Sequence, residues 1–504
     1  MSVSDICILI AIAIYLILMV VIGVMCSKKN NNVDDFYLGG RHLGPLVTAM
    51  SAEASDMSGW LLMGLPGLAY LCGIAEASWT AIGLAIGTYL NWLVVAKRLR
   101  NYSSKIGAIT IPEFFSRRFK DNTNILMCAS ALLIIIFFIP YTASGFSTCG
   151  KLFSTLFGID YHLAIIISAI VIVLYTALGG FLAASTTDFI QSIIMSVALV
   201  VVLGFGISVA GGWDAVMENA KSISHYLSLT STTDGKGGIV DFGGMSIIST
   251  LAWGVGYFGM PHILLRFMAI EDPKKMKISR RVASVWVVIA MSVAIVIGIV
   301  GLGMSKVEPT LVLKDSETII VAIADLLSEY GVIFALLAGV ILAGILASTM
   351  STADSQLLAA ASAISNDIMV GAFKLKVSEK AKMIAARATV IIIAVLGIFF
   401  AWDPESSVFR IVSFAWAGFG SSFGPVMLFA LFWKRTNKWG AMAGMISGGI
   451  TVIAWHYAQG GLFDLYELLP AFLVSCIFIV VVSLATGKPS KEIEKEFESA
   501  KIYD

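Results

Sequence analysis

Thirteen long apolar runs dominate this chain, near 5–26, 46–71, 74–97, 124–148, 162–183, 188–210, 245–268, 282–304, 331–362, 385–402, 408–433, 439–459 and 465–485. An apolar run of about 20 residues matches the hydrocarbon core of a bilayer when helical, whereas a barrel strand needs only about ten and alternates in polarity. These runs therefore predict helices. The chain is 58% hydrophobic and 13% charged, with a mean hydropathy of +0.89. A soluble domain is nearer half apolar and about a quarter charged. The expected fold is an all-α polytopic membrane protein of about 13 transmembrane helices in one domain, 1–504.

The basic residues orient it. With the N-terminus outside, inner loops collect 27 Lys and Arg, among them Lys28, Lys29, Arg41 and the clusters 97–120, 274–281 and 374–387. Outer loops hold six: Lys151, Lys221, Lys236, Lys306, Lys314 and Arg410. Arg266 sits at an inner helix end. No basic residue precedes the first run, so that helix is expected to be retained rather than cleaved as a signal peptide. Within the outer loop 305–330, Thr318 to Glu329 is apolar at helical spacing and predicts a surface helix. The tail from Lys488 alternates Lys and Glu and predicts an exposed helix or disordered tail.

The second run is the exception in polarity. It carries Glu53 and Asp56 near its middle, among Ser51, Ser55, Ser58 and Gly59. An ionisable group at that depth costs about 3 kcal/mol on insertion scales unless it meets a cavity, a partner or an ion. Glycine and serine beside the acids predict a helix that opens and frees backbone carbonyls, which membranes tolerate only where protein or a polar cavity receives them. The alternative is a bent structural helix whose acids pair with a buried Lys or Arg.

A second interrupted run follows the long outer loop. Gly254, Gly256, Gly259 and Pro261 weaken it at its centre. It enters the membrane from the opposite side, five runs after the first. Interrupted helices at matching positions of two inverted halves point to a transporter site. The halves would be 46–210 and 245–433, with 5–26 and 439–485 outside the repeat and 486–504 as a cytoplasmic tail.

The ninth run contains Ser348, Ser351, Thr352, Asp354 and Ser355. Ser348, Ser351 and Ser355 share one helix face. Hydroxyls facing freed carbonyls would suit a hard cation such as Na⁺. Close helix packing explains small and hydroxyl residues equally well. Trp253 and Tyr257 share a face at the second interruption, where either packing or solute contact would place them.

The runs SAEASDMSGWLLMGLPG, GGFLAASTTDFIQS, LAWGVGYFGMPHILLRFMA and MSTADSQLL resemble the sodium/solute symporter family, and within it the proline-transporting branch. The resemblance covers nearly the whole chain. It implies a LeuT-type inverted repeat of five plus five helices. It implies a sodium site formed by Ala54, Met57, Ser348, Ser351 and Thr352, with Asp56 as the acid on which sodium dependence rests. Ser58, Gly59, Trp60, Tyr141, Trp253, Tyr257 and Pro261 would line the substrate site. Arg41 would belong to the inner gate and Asp188 to ion release; on their own, the first reads as an inner anchor and the second as a charge at a helix start. Glu53 and Asp354 have no assigned place in this pattern.

The expected function is Na⁺-coupled symport of L-proline across the plasma membrane. Another amino acid, a betaine, or a non-transporting sensor of the same fold are the alternatives. An enzyme is not expected: the five histidines are unpaired in sequence, and the six cysteines show no metal or disulfide spacing. Na⁺ would be the coupling ion, with no organic cofactor. A net charge of +1 argues against nucleic acid. No obligatory protein partner is evident.

Overall fold

The computed structural model describes residues 2–27, 33–233, 238–458 and 460–501. Lys28, Lys29, Lys236 and residues 502–504 lie outside the described residues. Among the described residues, nine helices are long and apolar enough to cross a membrane, and the bent pair Gly244–Gly259 and Pro261–Ala269 makes ten. The other three expected spans are also helical. The second is divided into Pro45–Asp56 and Trp60–Cys72, the fifth contains the short apolar helix Tyr161–Leu174, and the twelfth is Lys438–His456.

The fifth and sixth spans run on as one helical stretch, Tyr161–Val209, broken where Gly180 turns to φ 66°. The sixth span thus starts near 180, not at 188 as expected. Asp188 lies about two turns inside it at 3.6 residues per turn, so it is not a helix-end charge.

Among the described residues the all-α expectation has one exception. In the loop between the sixth and seventh spans, Ser231–Thr233 pairs antiparallel with Ile239–Asp241. β-Branched Thr232, Thr233, Ile239 and Val240 suit such a ribbon. The same loop carries the helix Trp213–Ser222. In the loop 305–330, Ile319–Ser328 is helical as the spacing predicts, but Ile319, Ile320, Val321 and Ile323 are buried. This helix is a wedge between spans rather than a surface helix.

The tail also departs from expectation. Lys491–Lys501 is a helix whose Ile493, Phe497 and Ala500 are buried. Their i, i+4, i+7 spacing makes one apolar stripe. Phe497 sits between two guanidinium groups, with Arg98 5.3 Å and Arg118 4.9 Å from its ring centre. Lys120 pairs with Glu492, and also with Glu496 at 3.6 Å. The tail is docked on the basic face.

That face is closed by directional bonds. Leu43 and Ile270, at the ends of the second and seventh spans, form a parallel bridge. Leu43 N donates to Ala269 O (3.2 Å) and Glu271 N to Leu43 O (2.9 Å). Arg41 donates to Met268 O (2.7 Å) and Ala108 O (2.6 Å), and Arg100 to Ile270 O (2.7 Å). On the opposite face a cavity of about 300 Å³ opens toward Trp253 and Phe409.

Candidate functional site

The second span opens as its sequence predicts. Helix Pro45–Asp56 ends at Met57, whose ψ of 65° leaves the helical region. Ser58 N donates to Asp56 O (2.8 Å). In an unbroken helix it would bond Ala54 O. Ala54 O is thereby released and receives the Ser351 hydroxyl of the ninth span at 2.8 Å. Gly59 is required here, because a Cβ at that position would overlap the Thr148 side chain.

Of the expected sodium residues, Ala54 and Ser351 meet across the two spans. Ala54, Met57, Ser348, Ser351, Thr352 and Asp56 are all buried. The ninth-span hydroxyls also bond their own helix: Thr352 to Ser348 O (3.1 Å), Ser351 to Ser348 O (3.2 Å) and Ser348 to Ile345 O (2.8 Å). Ser351 is the hydroxyl that joins this helix to the second span.

The seventh span breaks between Ala252–Gly259, a tight 3-10 segment, and the helix Pro261–Ala269, with a bend of 48°. Pro261 opens that helix, where its missing N–H costs nothing. Tyr257 reaches across to donate to Asp56 Oδ2 at 2.5 Å, and Tyr141 donates to Asp56 O at 3.2 Å. Gly256 lets Trp416 approach so that its Nε1 donates to Trp253 O at 2.8 Å; a Cβ there would meet the indole. Trp60 lies with its ring 6.2 Å from Trp253 and 6.4 Å from Phe409. Ser58, Gly59, Trp60, Tyr141, Tyr257 and Pro261 are buried about the two breaks, and Trp253 lies between them and the open cavity.

Among the described residues, Asp56 Oδ1 and Glu53 Oε2 have no hydrogen-bond partner, and neither acid forms an ion pair. Glu53 Oε1 accepts from Trp92 Nε1 at 3.0 Å. The alternative in which these acids pair with a buried base is therefore not what the fold does. It does so instead at Asp188. Asp188 Oδ2 accepts from Arg266 Nη2 (3.0 Å) and Ser51 Oγ (2.7 Å), while Arg266 also donates to Ser355 Oγ (2.5 Å). Arg41 lies on the basic face, whereas Asp188 is tied through Ser51 and Arg266 to the two helices that flank the breaks.

Four contributors were not singled out from the sequence. Trp416 and Phe409 of the eleventh span complete the aromatic wall, and an aromatic-rich run at 409–423 was the available signal. Arg266, expected at an inner helix end, is buried; a base inside an apolar run was its signal. Lys151, counted as an outer-loop charge, is buried and pairs with Asp315 and Glu317, both at 2.7 Å. Glu317 in turn accepts from Val408 N (2.9 Å) and Phe409 N (3.1 Å), holding the start of the eleventh span.

Residues 36–448 match the family model "Sodium:solute symporter family". The chain is 42% identical over 489 residues to the osmoregulated proline transporter OpuE of Bacillus subtilis (strain 168), covering 96% of each. It is 40% identical over 508 residues to the sodium/proline symporter of Staphylococcus aureus (strain USA300 / TCH1516), covering 98% of this chain and 95% of that one. The solved structure of a Na⁺-coupled sialic acid symporter, in a substrate-bound outward-open state, aligns with a TM-score of 0.76 over 97% of this chain and 99% of that one. At 19% identity this last likeness concerns the fold, which is the LeuT-type helical architecture.

Proposed function

The chain belongs to the sodium:solute symporter family, and we propose on that footing that it moves L-proline into the cell together with Na⁺ by alternating access. The observation that carries this reading is the released Ala54 carbonyl facing the Ser351 hydroxyl across two spans. Ala54 and Met57 carbonyls, Ser348, Ser351 and Thr352 would hold Na⁺. Asp56, buried beside them with one oxygen free, would supply the negative charge. Oxygen donors of this kind suit a hard monovalent cation.

Ser58, Gly59, Trp60, Tyr141, Trp253, Tyr257 and Pro261 would take the amino acid. Aromatic faces suit its ring and attract its secondary ammonium. N–H groups at a helix start suit its carboxylate. Tyr257 and Tyr141 both touch Asp56, so filling one site alters the other.

The five-helix units 46–210 and 245–433 would move against each other, with 5–26 and 439–485 outside the repeat. Arg41 would lock the inner gate and Asp188 would govern ion release. The N-terminus would face outside and the tail inside the cytoplasm of a cell bounded by this plasma membrane. One Na⁺ entering across 100 mV supplies about 2.3 kcal/mol, and a tenfold gradient adds about 1.4. No catalytic chemistry, organic cofactor, nucleic acid or obligatory protein partner enters this scheme.

Uptake of labelled proline into proteoliposomes, with and without an inward Na⁺ gradient, tests it. Gradient-dependent accumulation is expected. Accumulation unaffected by removing Na⁺ overturns the coupling, and stronger competition by betaine or alanine than by proline overturns the substrate.

A further inference from the structure

A hollow of about 830 Å³ lies on the basic face, beside the docked tail and outside the site above. That is within the range of about 300–1,000 Å³ in which small ligands are held. Among the described residues four bases line it. Lys105, Arg117 and Lys120 come from the segment before the fourth span, and Lys374 from the segment after the ninth. The bias of one membrane face toward basic residues puts such groups in loops, but it does not gather them round one hollow. Asn124 ties the two walls together, its Nδ2 donating to Gly371 O at 3.1 Å. Met127 lines the hollow at the start of the fourth span, where Ile125 beside it is exposed. An exposed apolar side chain at a span's end faces lipid, so the hollow sits at the level of headgroups.

Three acids share the lining, and two of them are already satisfied. Glu113 accepts from Ile109 N (2.8 Å) and pairs with Arg117. Asp121 accepts from Leu126 N (2.8 Å) and Thr123 N (3.1 Å), with Lys438 Nζ at 3.6 Å. The third, Glu496, belongs to the tail helix. It stands 3.6 Å from Lys120, which also pairs with Glu492, and its Oε1 has no hydrogen-bond partner. Lys105 donates to Ser499 of the same helix. The tail thus takes up two of the four bases, through a carboxylate that fits incompletely. Arg117 is held in place by its bond to Ile106 O (2.7 Å), and its other N–H groups are left over. Gly107 makes room for it, because a Cβ there would meet the Arg117 Nη1. Lys374 is exposed and has no acid partner among the described residues. A carboxylate presents two oxygens in one plane. A phosphate presents several around one centre, and so meets bases that approach from two walls.

We propose that this hollow is an anion site for a phosphate group, carried by an anionic phospholipid headgroup or free in solution, held by Arg117, Lys374, Lys120 and Lys105. Its occupant competes with the tail helix, because Lys120 and Lys105 serve both. Basic pockets at the ends of membrane helices suit such headgroups. The site is independent of the proposed transport of proline: none of the proposed sodium or substrate residues lines the hollow.

Titration of the purified full-length protein, in uncharged detergent, with short-chain phosphatidylglycerol, short-chain phosphatidylcholine and inorganic phosphate tests the proposal. Saturable binding of phosphatidylglycerol is expected, weakening as salt is raised, with little binding of phosphatidylcholine, whose choline cancels the charge. Lys374→Ala and Arg117→Ala should each weaken it by about fivefold, the weight of one base near an anionic surface. Lys374 makes no bond in the fold, so its substitution keeps the test clear of misfolding. Glu496→Gln, which removes the competing acid, should strengthen binding. Lys277→Ala, at an exposed base on the same face outside the hollow, should change nothing. Binding should also open the tail helix to limited proteolysis. Inorganic phosphate that competes with the lipid at similar concentration supports the site with a soluble phosphate as its source; phosphate that does not compete supports it with the lipid as its source. Equal binding of both lipids, no binding of any of the three probes, or a loss in Lys374→Ala no larger than in Lys277→Ala overturns the site. Binding that leaves the tail fully protected overturns the competition. None of these outcomes bears on proline uptake.

Discussion

Two groups of buried acids lie in the same helix bundle and are treated in opposite ways. Asp188 is neutralised from within, by Arg266 at 3.0 Å and Ser51 at 2.7 Å. Among the described residues Glu53 and Asp56 form no ion pair; like Asp188 Oδ1, one carboxylate oxygen of each lacks a hydrogen-bond partner. An ion in a low-dielectric interior costs several kcal/mol unless its charge is balanced. The fold balances the first acid itself. The second group is balanced by no base among the described residues. The lesson is that depth and residue type do not tell a balanced acid from an unbalanced one; the partner across the bundle does.

The largest expected effect breaks the balanced pair. Arg266→Met leaves Asp188 charged and alone, and should destabilise the protein by about 3–5 kcal/mol. Thermal unfolding in detergent measures it. Arg266→Met combined with Asp188→Leu should recover most of that loss, since removing both members of a buried pair is often nearly neutral. No recovery would mean that the pair is not the unit described here.

Asp56→Asn is the opposite experiment. It removes an unbalanced charge, so folding in Na⁺-free buffer should be preserved or improved. Na⁺-driven uptake should fall by about a hundredfold, or about 2.8 kcal/mol. A variant that unfolds, or that still shows Na⁺-driven uptake like the parent, erases the contrast between the two acids.

Withdrawing Na⁺ sharpens the same point without mutation. At a hundred times its dissociation constant, a ligand that binds only the folded state stabilises it by about 2.7 kcal/mol. The parent should lose that increment when Na⁺ is exchanged for a large organic cation, and Asp56→Asn should not. An equal loss in both would place Na⁺ elsewhere.

Smaller still, Ser351→Ala removes one hydroxyl from the second-to-ninth span contact. It should weaken Na⁺ binding by about 1 kcal/mol, or roughly fivefold in the Na⁺ needed for half-maximal uptake. An unchanged requirement would detach the ninth span from the ion site. The effect that should touch transport least concerns charge outside the bilayer. Phe497→Ala removes the ring between Arg98 and Arg118, a contribution of about 0.5–2 kcal/mol per cation–ring pair. The tail should become more open to limited proteolysis while proline uptake persists; an equally protected tail would mean that its charges alone hold it.

How far these features could be read beforehand varied with the distance between partners. The break at Met57–Gly59 was visible because its acids, serines and glycine are neighbours in the chain. The second break was visible in Gly254, Gly256, Gly259 and Pro261 for the same reason. The Arg266–Asp188 pair was not, because 78 residues separate its members. Lys151 and Glu317 are 166 apart, so Lys151 passed for a loop charge. The tail carried its stripe in plain view, but Ile493, Phe497 and Ala500 are interleaved with Lys and Glu, and a helix with nothing to dock on would have been exposed.

The sequence by itself determined the class of molecule, the positions of its membrane helices, the two interruptions and the family. Each follows from local hydropathy, backbone chemistry or contiguous motifs, which need no knowledge of what lies across the bundle. Only the tertiary structure decided which buried charges are matched and which are left open, that Ala54 and Ser351 meet, and that Trp253, Phe409 and Trp416 gather into one aromatic wall. Those outcomes depend on which side chains are brought together from distant spans, and the free energy of a buried charge or hydroxyl is set by its neighbours in space.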